Sequence, residues 1–126
     1  MRKIITTTYA PPPIGPYNQA VLANDTLYLS GQIGLNPLSM EMVEGGVKEE
    51  AEQVMENLKA VLEAAEMTFS QVVKTSIFLS DMEDFGQVNE VYAAYFNNDS
   101  SPARETIAVK TLPKNVKVEI SMIAVK

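Results

Sequence analysis

Two stretches near the end of the chain decide its fold: Ser101-Pro102-Ala103-Arg104-Glu105-Thr106-Ile107 and Val116-Lys117-Val118-Glu119-Ile120. Each shows the alternation of apolar and polar residues that is typical of a half-buried β-strand. Because successive side chains of a strand point to opposite faces, Ile107 and Val109 share one face of the first strand. The corresponding face of the second strand consists of Val116, Val118, Ile120 and Met122. We expect both apolar faces to be buried in one core.

The polar residues of these two strands are then expected on the opposite surface, since a shift of one residue would expose every apolar side chain. This parity places Arg104 and Thr106 on the same surface as Glu119 and Ser121. An arginine, a hydroxyl and a carboxylate together can bind a small carboxylate ligand and move a proton beside it. The alternative for Arg104 is a surface salt bridge, and the alternative for Glu119 is an exposed strand position.

The composition is that of a globular protein with a restricted set of catalytic groups. The 126 residues, 46% hydrophobic and 21% charged, are expected to form one domain, 1–126, with a core of its own. Cysteine and histidine are both absent, which excludes disulfides, thiol nucleophiles, the usual zinc sites and histidine-dependent triads. Any proton transfer therefore falls to Asp, Glu, Tyr, Lys or water.

The charge and the N-terminus narrow the possible partners. A net charge of −6 opposes binding to a phosphate backbone. No segment approaches the roughly 20 apolar residues of a membrane span. The basic N-terminal residues are followed by threonines and a proline run, without an apolar stretch of the length of a signal sequence. We therefore expect a cytoplasmic protein with neither nucleic acid nor membrane as a partner.

The first third of the chain predicts a rigid loop and a hairpin. Pro11-Pro12-Pro13 and Gly15-Pro16 restrict the backbone to an extended loop. Residues 17–23 and 26–32 then form two short strands around an Asn24-Asp25 turn, with Leu27 and Leu29 facing inward. Gly31, near the end of the second strand, marks a bulge or the close approach of a ligand to the backbone.

The middle of the chain predicts an amphipathic helix and a central strand. From Val47 to Ala65 apolar residues recur every three or four positions, and glutamates fill the other side. Gly45-Gly46 supplies the break before this helix. Residues 72–80 follow as a strand whose inward row is Val73, Thr75, Ile77 and Leu79.

A second helix is expected after residue 84, where Asp84 and Gln87 have the spacing of a capping box. Its buried stripe is Phe85, Val88, Val91, Tyr92 and Tyr95, and a loop over residues 97–102 ends it. The order of elements calls for an α+β fold in which two helices cover one face of a mixed sheet. The other face would expose Phe78, Ile123 and Val125, so we expect self-association.

Several short motifs occur in order along the whole chain: Ile14-Gly15-Pro16-Tyr17-Asn18-Gln19-Ala20, Leu29-Ser30-Gly31-Gln32-Ile33, Val73-Lys74-Thr75, Phe78-Leu79-Ser80-Asp81-Met82, Pro102-Ala103-Arg104, Leu112-Pro113-Lys114 and Val118-Glu119-Ile120. In these motifs the sequence resembles the reactive intermediate deaminase (Rid) family, also called the YjgF family. The resemblance implies a chorismate-mutase-like α+β fold and a homotrimer with a central barrel and clefts between subunits. It also implies hydrolysis of enamines and imines, such as 2-aminoacrylate and 2-aminocrotonate, to 2-keto acids and ammonia, without a cofactor or a metal.

The resemblance also assigns roles to individual residues. Arg104 would pair with the substrate carboxylate, and Glu119 would orient or activate the attacking water. The cleft would be lined by Tyr17, Ser30, Gly31, Asn89 and Thr106. Without the resemblance, Tyr17 is interpreted as a packed tyrosine, Asn89 as a hydrogen-bonding group at a helix edge, and Thr106 as an ordinary strand residue.

One departure and two competing functions accompany this hypothesis. The residue after the arginine is generally small in the family, whereas Glu105 stands here and is expected to perturb Arg104 or the choice of substrate. The alternative functions are a non-catalytic module that binds 2-keto acids and, less favoured by the acidic charge, a ribonuclease. The leading hypothesis requires Arg104 and Glu119 to project together into one pocket shared by adjoining protomers.

Overall fold

The computed structural model describes all 126 residues. The strands are β1 (Arg2–Ile5), β2 (Ala20–Ala23), β3 (Thr26–Gln32), β4 (Val72–Leu79), β5 (Ala103–Ala108) and β6 (Val118–Val125), and the helices are α1 (Val47–Ala64) and α2 (Phe85–Ala93). The α+β class is therefore confirmed. Neither helix combines the length and the apolarity that a membrane span requires.

All six strands form one sheet in the order β1-β2-β3-β6-β4-β5. Every neighbouring pair is antiparallel except β4 and β5, which run parallel and are connected through α2. The sheet is thus mixed, as expected, because a parallel pair needs a long crossover connection and α2 supplies it. The edge strand β1 was missing from the sequence prediction, although the β-branched pair Ile4-Ile5 favours a strand there.

Both helices pack on one face of the sheet, and the core lies between these two layers. The whole apolar stripe predicted for the first helix is buried, from Val47 to Ala65. The strands contribute Leu27, Leu29, Thr75, Ile77, Leu79, Val118, Ile120 and Met122 to the same side, all of them buried. The predicted inward pair Leu27 and Leu29 is confirmed, and so is the inward row of the last strand.

The hairpin of β2 and β3 carries the irregularity predicted at Gly31. Pairing between β3 and β6 is regular up to Leu29 and resumes at Gln32 with a shifted register. A bulge of this kind bends a strand locally and redirects its side chains. Ser30 and Gly31 therefore leave the regular ladder at the point where β3 meets Glu119 of β6.

Two local predictions were wrong. Asp84 makes no side-chain cap, because a short 3₁₀ turn, Met82–Asp84, precedes α2 and is capped by Asp81, whose carboxylate accepts the Glu83 N–H at 2.9 Å. Val73 is 48% exposed, since the β4–β6 register is irregular between Val72 and Lys74, and Val72 takes the buried place instead.

The expected burial of Ile107 was also wrong. In the parallel register Thr106 lies beside the buried Ile77, and Ile107 lies beside Phe78. Paired residues of neighbouring strands point to the same face, so Ile107 belongs to the face without helices and is 45% exposed. Ile123 and Val125 lie on that bare face too, as predicted, together with Tyr28. Alternation alone misassigned β5, because both faces of this sheet carry apolar residues.

Candidate active site

Arg104 and Glu119 leave the sheet on opposite faces of the same chain. Arg104 lies beside Thr75 in the β4–β5 register, and Thr75 is fully buried on the helix side. Glu119 lies beside Phe78 in the β4–β6 register, on the bare face. The prediction that parity brings Arg104 and Thr106 to one surface with Glu119 and Ser121 is therefore wrong for a single chain. Each charged residue instead belongs to its own cavity.

Around Arg104, α2 forms the wall of the first cavity, which has a volume of about 380 Å³. The guanidinium donates a hydrogen bond from Nη1 to Oδ1 of Asn89 at 2.8 Å. Its carbon lies 5.0 Å from the ring centre of Tyr92 and 5.6 Å from that of Phe85. Phe85, Asn89 and Tyr92 are spaced four and three residues apart, so they share one face of the helix. We call Arg104 and these three residues the arginine half-site.

No carboxylate pairs with Arg104. The two ion pairs in the structure, Lys48 with Glu90 and Lys74 with Glu105, lie elsewhere. The neighbours of the guanidinium are one amide and two aromatic rings, which hold it in place without neutralising its charge. A half-buried arginine with this surrounding retains its capacity to bind an incoming carboxylate.

Glu119 lies in the second cavity, of about 390 Å³, which is formed by the N-terminal loop, the bulge of β3 and the turn before β6. Tyr17, Ser30, Gly31 and Pro113 line it as well. Burial raises the pKa of the Glu119 carboxyl above its ordinary value, because desolvation disfavours the charged form. A carboxylate of raised pKa is a stronger base, which suits it to proton transfer. We call this cavity the acid half-site.

Gly31 is required for the placement of Glu119. A Cβ on Gly31 would lie 2.9 Å from Cδ of Glu119 and closer still to Oε2. The sequence predicted a bulge or the close approach of a ligand at Gly31. The bulge is confirmed. The group that lies against Gly31 is the side chain of Glu119, and the approach of a ligand there stays a prediction.

The residues predicted to line the cleft divide between the two half-sites. Tyr17, Ser30 and Gly31 lie with Glu119, whereas Asn89 and Thr106 lie on the helix side with Arg104. The Ser30 hydroxyl donates to the carbonyl of Asn18 at 2.5 Å, and Tyr17 is 47% exposed at the cavity. Oγ1 of Thr106 is buried without a hydrogen-bond partner, which normally costs about 1–3 kcal/mol.

Three buried polar residues that the sequence analysis did not single out hold the walls of the acid half-site. Gln19 donates to the carbonyls of Thr7, Ala10 and Pro11 at 3.0, 3.2 and 2.9 Å and accepts the Thr7 N–H. Asn57 donates to the carbonyls of Ile33 and Leu35, at 3.2 and 3.0 Å, and Glu50 accepts the Lys117 N–H at 2.9 Å. Glu50 and Asn57 could have been found from the sequence, because both fall within the apolar stripe of α1, whereas Gln19 has no such signal.

Glu105 does not contact Arg104. Its side chain is on the bare face, where it accepts a hydrogen bond from the Ser76 hydroxyl and pairs with Nζ of Lys74 at 2.8 Å. These contacts, that of Lys74 first, lower the pKa of the Glu105 carboxyl. The expectation that Glu105 perturbs Arg104 was therefore wrong, because neighbouring residues of a strand point to opposite faces. An effect of Glu105 on the choice of substrate stays a prediction.

Comparison with known proteins yields matches over almost the whole chain. The family model described as Endoribonuclease L-PSP matches residues 7–126. A protein of Mus musculus named 2-iminobutanoate/2-iminopropanoate deaminase is 52% identical, over 100% of this chain and 93% of its own length. The crystal structure of YyfA from Yersinia pestis, described as a member of the conserved Rid protein family, superposes with a TM-score of 0.96 at 43% identity, covering 100% of both chains. That of Escherichia coli TdcF with bound serine gives a TM-score of 0.92 at 39% identity, covering 98% of each.

Proposed function

The chain belongs to the reactive intermediate deaminase (Rid) family, and we propose from this membership that it hydrolyses imines and enamines derived from amino acids to 2-keto acids and ammonia. The observation that carries the function is the 52% identity over the full chain with a 2-iminobutanoate/2-iminopropanoate deaminase. The two half-sites supply suitable chemical groups: a cation for a substrate carboxylate and a carboxylate for a proton.

We further propose that the catalytic site is assembled from two chains. Arg104 and Glu119 face opposite sides of one sheet, so a single chain does not present them to one small ligand. The apolar bare face, with Tyr28, Phe78 and Ile107, supports burial against a second copy. The resemblance implies that the copies form a chorismate-mutase-like homotrimer with a central barrel. In this arrangement the arginine half-site of one subunit meets the acid half-site of its neighbour.

The reaction uses few groups. The substrate carboxylate pairs with the guanidinium N–H groups that Asn89 leaves free. Glu119 takes a proton from water as the water oxygen bonds to the imine carbon, and the C=N electron pair moves to nitrogen, which receives that proton. In the second step Glu119 takes the hydroxyl proton of this carbinolamine and returns it to nitrogen while the C–N bond breaks. The products are a 2-keto acid and ammonia, and positioned proton transfer of this kind contributes about 10²–10⁴-fold.

Subunit complementation tests both parts of the proposal. Arg104→Ala and Glu119→Ala are purified separately, and each is expected to be nearly inactive when a serine or threonine dehydratase supplies the imine. After the two variants are unfolded together and refolded as a mixture, about a quarter of the sites should regain both residues and the corresponding activity. A mixture no more active than either variant, although folded and trimeric, would contradict a shared site. An inactive wild-type protein would contradict the deaminase itself.

A binding module that performs no turnover is the second candidate, and the serine bound to the relative TdcF favours it. Such a module needs Arg104 for a ligand carboxylate but has no use for Glu119 as a base. Binding of 2-oxobutanoate should then survive Glu119→Ala, and the wild type should not accelerate keto-acid formation. Measured acceleration that Glu119→Ala abolishes would exclude this candidate.

RNA cleavage is the activity in the description of the family model. We propose that RNA is not the substrate of this chain. Support comes from the net charge of −6 and from the residues lining the two half-site cavities, among which Arg104 is the one basic side chain. Cleavage of a labelled RNA that Glu119→Ala abolishes would contradict this proposal.

A further inference from the structure

We propose that Tyr92 is a positioning residue for Arg104, holding the guanidinium where it binds the substrate carboxylate. The inference rests on the proposed function, because it adds a residue that acts through Arg104. Tyr92 is only 5% exposed, and neither the sequence motifs nor the family resemblance singled it out. Its ring faces the guanidinium at 5.0 Å, closer than the ring of Phe85 at 5.6 Å.

The position of the Tyr92 ring is itself fixed by a hydrogen bond. Its hydroxyl donates to Oγ1 of Thr75 at 3.0 Å, and Thr75 is fully buried. Thr75 lies directly beside Arg104 in the β4–β5 register. Tyr92 of α2 therefore contacts two neighbouring strands. Its hydroxyl binds Thr75 of β4, and its ring contacts the guanidinium of Arg104 on β5.

The chemistry of this contact explains why a ring is suited to the position. A carboxylate beside Arg104 would hold the guanidinium but would compete with the substrate carboxylate for it. An aromatic face attracts the cation and leaves the N–H groups at its edge free. An arginine whose rotamer is already fixed loses less conformational entropy when a ligand binds. Tyr92 thus lowers the cost of binding the substrate without neutralising the cation.

The test replaces the ring by a smaller, flexible apolar side chain. Tyr92→Met is expected to raise KM for the imine, and Kd for 2-oxobutanoate in calorimetry, by about tenfold, the size of a partly desolvated cation–π contact. The rate constant kcat should change less than about twofold, since Glu119 and the reacting atoms are untouched. Tyr92→Phe keeps the ring and should restore most of the affinity.

Tyr95 provides a matched control, since it is a partly buried tyrosine close to Tyr92. Its hydroxyl donates to Glu56 at 2.8 Å, and its ring packs against Phe69 at 5.4 Å, away from Arg104. Tyr95→Met should therefore leave KM and Kd unchanged. An equal loss of affinity in Tyr95→Met would show general loosening of the helix and would overturn the inference. An unchanged KM and Kd in folded Tyr92→Met would overturn it as well.

A readout that does not depend on turnover separates this inference from the proposed function. The chain has two arginines, Arg2 and Arg104, so the Nε–H region of a ¹⁵N NMR spectrum contains two signals, and Arg104→Lys assigns them. The Arg104 signal should be sharp in the wild type and broadened in Tyr92→Met, and an unchanged signal would overturn the inference even if the protein is no deaminase. If Tyr92→Met fails to fold, Tyr92→Leu, which also removes the ring, is held to the same outcomes.

Discussion

The carboxylate of Glu119 occupies the space in which a side chain on Gly31 would lie. Gly31→Ala should therefore displace Glu119 and lower kcat/KM by about 10²-fold, since a shift of about 1 Å in a catalytic group has an effect of that size. Steady-state kinetics with a dehydratase-generated imine measures the loss. The matched control is Gly86→Ala, because apart from its chain neighbours and the backbone of its own helix no atom lies within 4 Å of a Cβ there. That variant should keep its activity and gain about 0.5–1 kcal/mol of stability from helix propensity.

The raised pKa of Glu119 predicts opposite effects of pH on activity and on stability. The proposed reaction uses the Glu119 carboxylate as its base, so kcat/KM should fall as the pH drops through a pKa that lies above 4.5. Stability changes in the other direction, because a group whose pKa is higher in the folded state binds its proton more tightly there. The contribution of Glu119 is therefore fully favourable below its unfolded pKa and is lost as the pH rises through the folded pKa.

Glu119→Gln tests the stability half of that prediction. The variant should melt at a higher temperature than the wild type at pH 7, and the difference should shrink as the pH is lowered towards 4.5. Differential scanning calorimetry across this range measures it. A difference that grows towards acidic pH would mean that Glu119 is stabilised in its charged form.

Removing the unpaired hydroxyl of Thr106 should change stability and activity in opposite directions. Valine has nearly the same shape, so Thr106→Val removes a buried group without a partner and should raise the free energy of unfolding by about 1 kcal/mol. If the hydroxyl contacts the ligand as the family resemblance implies, kcat/KM should fall in the same variant. Urea denaturation and steady-state kinetics measure the two quantities. A stabilised variant of full activity would remove Thr106 from the site.

Asn57 ties the wall of the acid half-site to α1. Asn57→Leu should destabilise the protein by about 2–4 kcal/mol, because it leaves the carbonyls of Ile33 and Leu35 without their donor. Chemical denaturation measures this loss. Gln53→Ala is the control, since Gln53 donates a single bond to Oδ1 of Asn57, and its removal should cost about 1 kcal/mol or less.

Glu105 should contribute to the stability of the protein at neutral pH but not in acid. Its pKa is lowered by Lys74 and Ser76, so its contribution to stability is present above the ordinary carboxyl range and is lost as the pH falls through the lowered pKa. Glu105→Gln should melt slightly below the wild type at pH 7, and the two melting temperatures should converge well below pH 4.5. A difference that persists in acid would assign the effect to packing on the bare face.

Most of the fold could be predicted from the sequence, because α1, the hairpin and β6 each have a strongly apolar side and a polar one. The site could not be predicted as fully. The faces of β5 were assigned from an apolar pattern that belongs to the face without helices. Ile107 and Phe78 give the bare face an apolar pattern of its own. The alternation of apolar and polar residues shows which face of a strand is buried when the other face is exposed to solvent. Where both faces are apolar, only the neighbouring strand determines which face is buried. The pairing of Arg104 with Thr75 is a tertiary contact that the local sequence does not contain.

The opposite orientation of Arg104 and Glu119 has a consequence for cells that make mixed populations of the protein. In the proposed trimer each subunit supplies Arg104 to one site and Glu119 to another. A subunit that lacks both residues therefore inactivates two sites. Activity should then fall with the square of the fraction of intact chains rather than in proportion to it. A defective allele would therefore be partly dominant, and co-expression with the normal gene would reveal it.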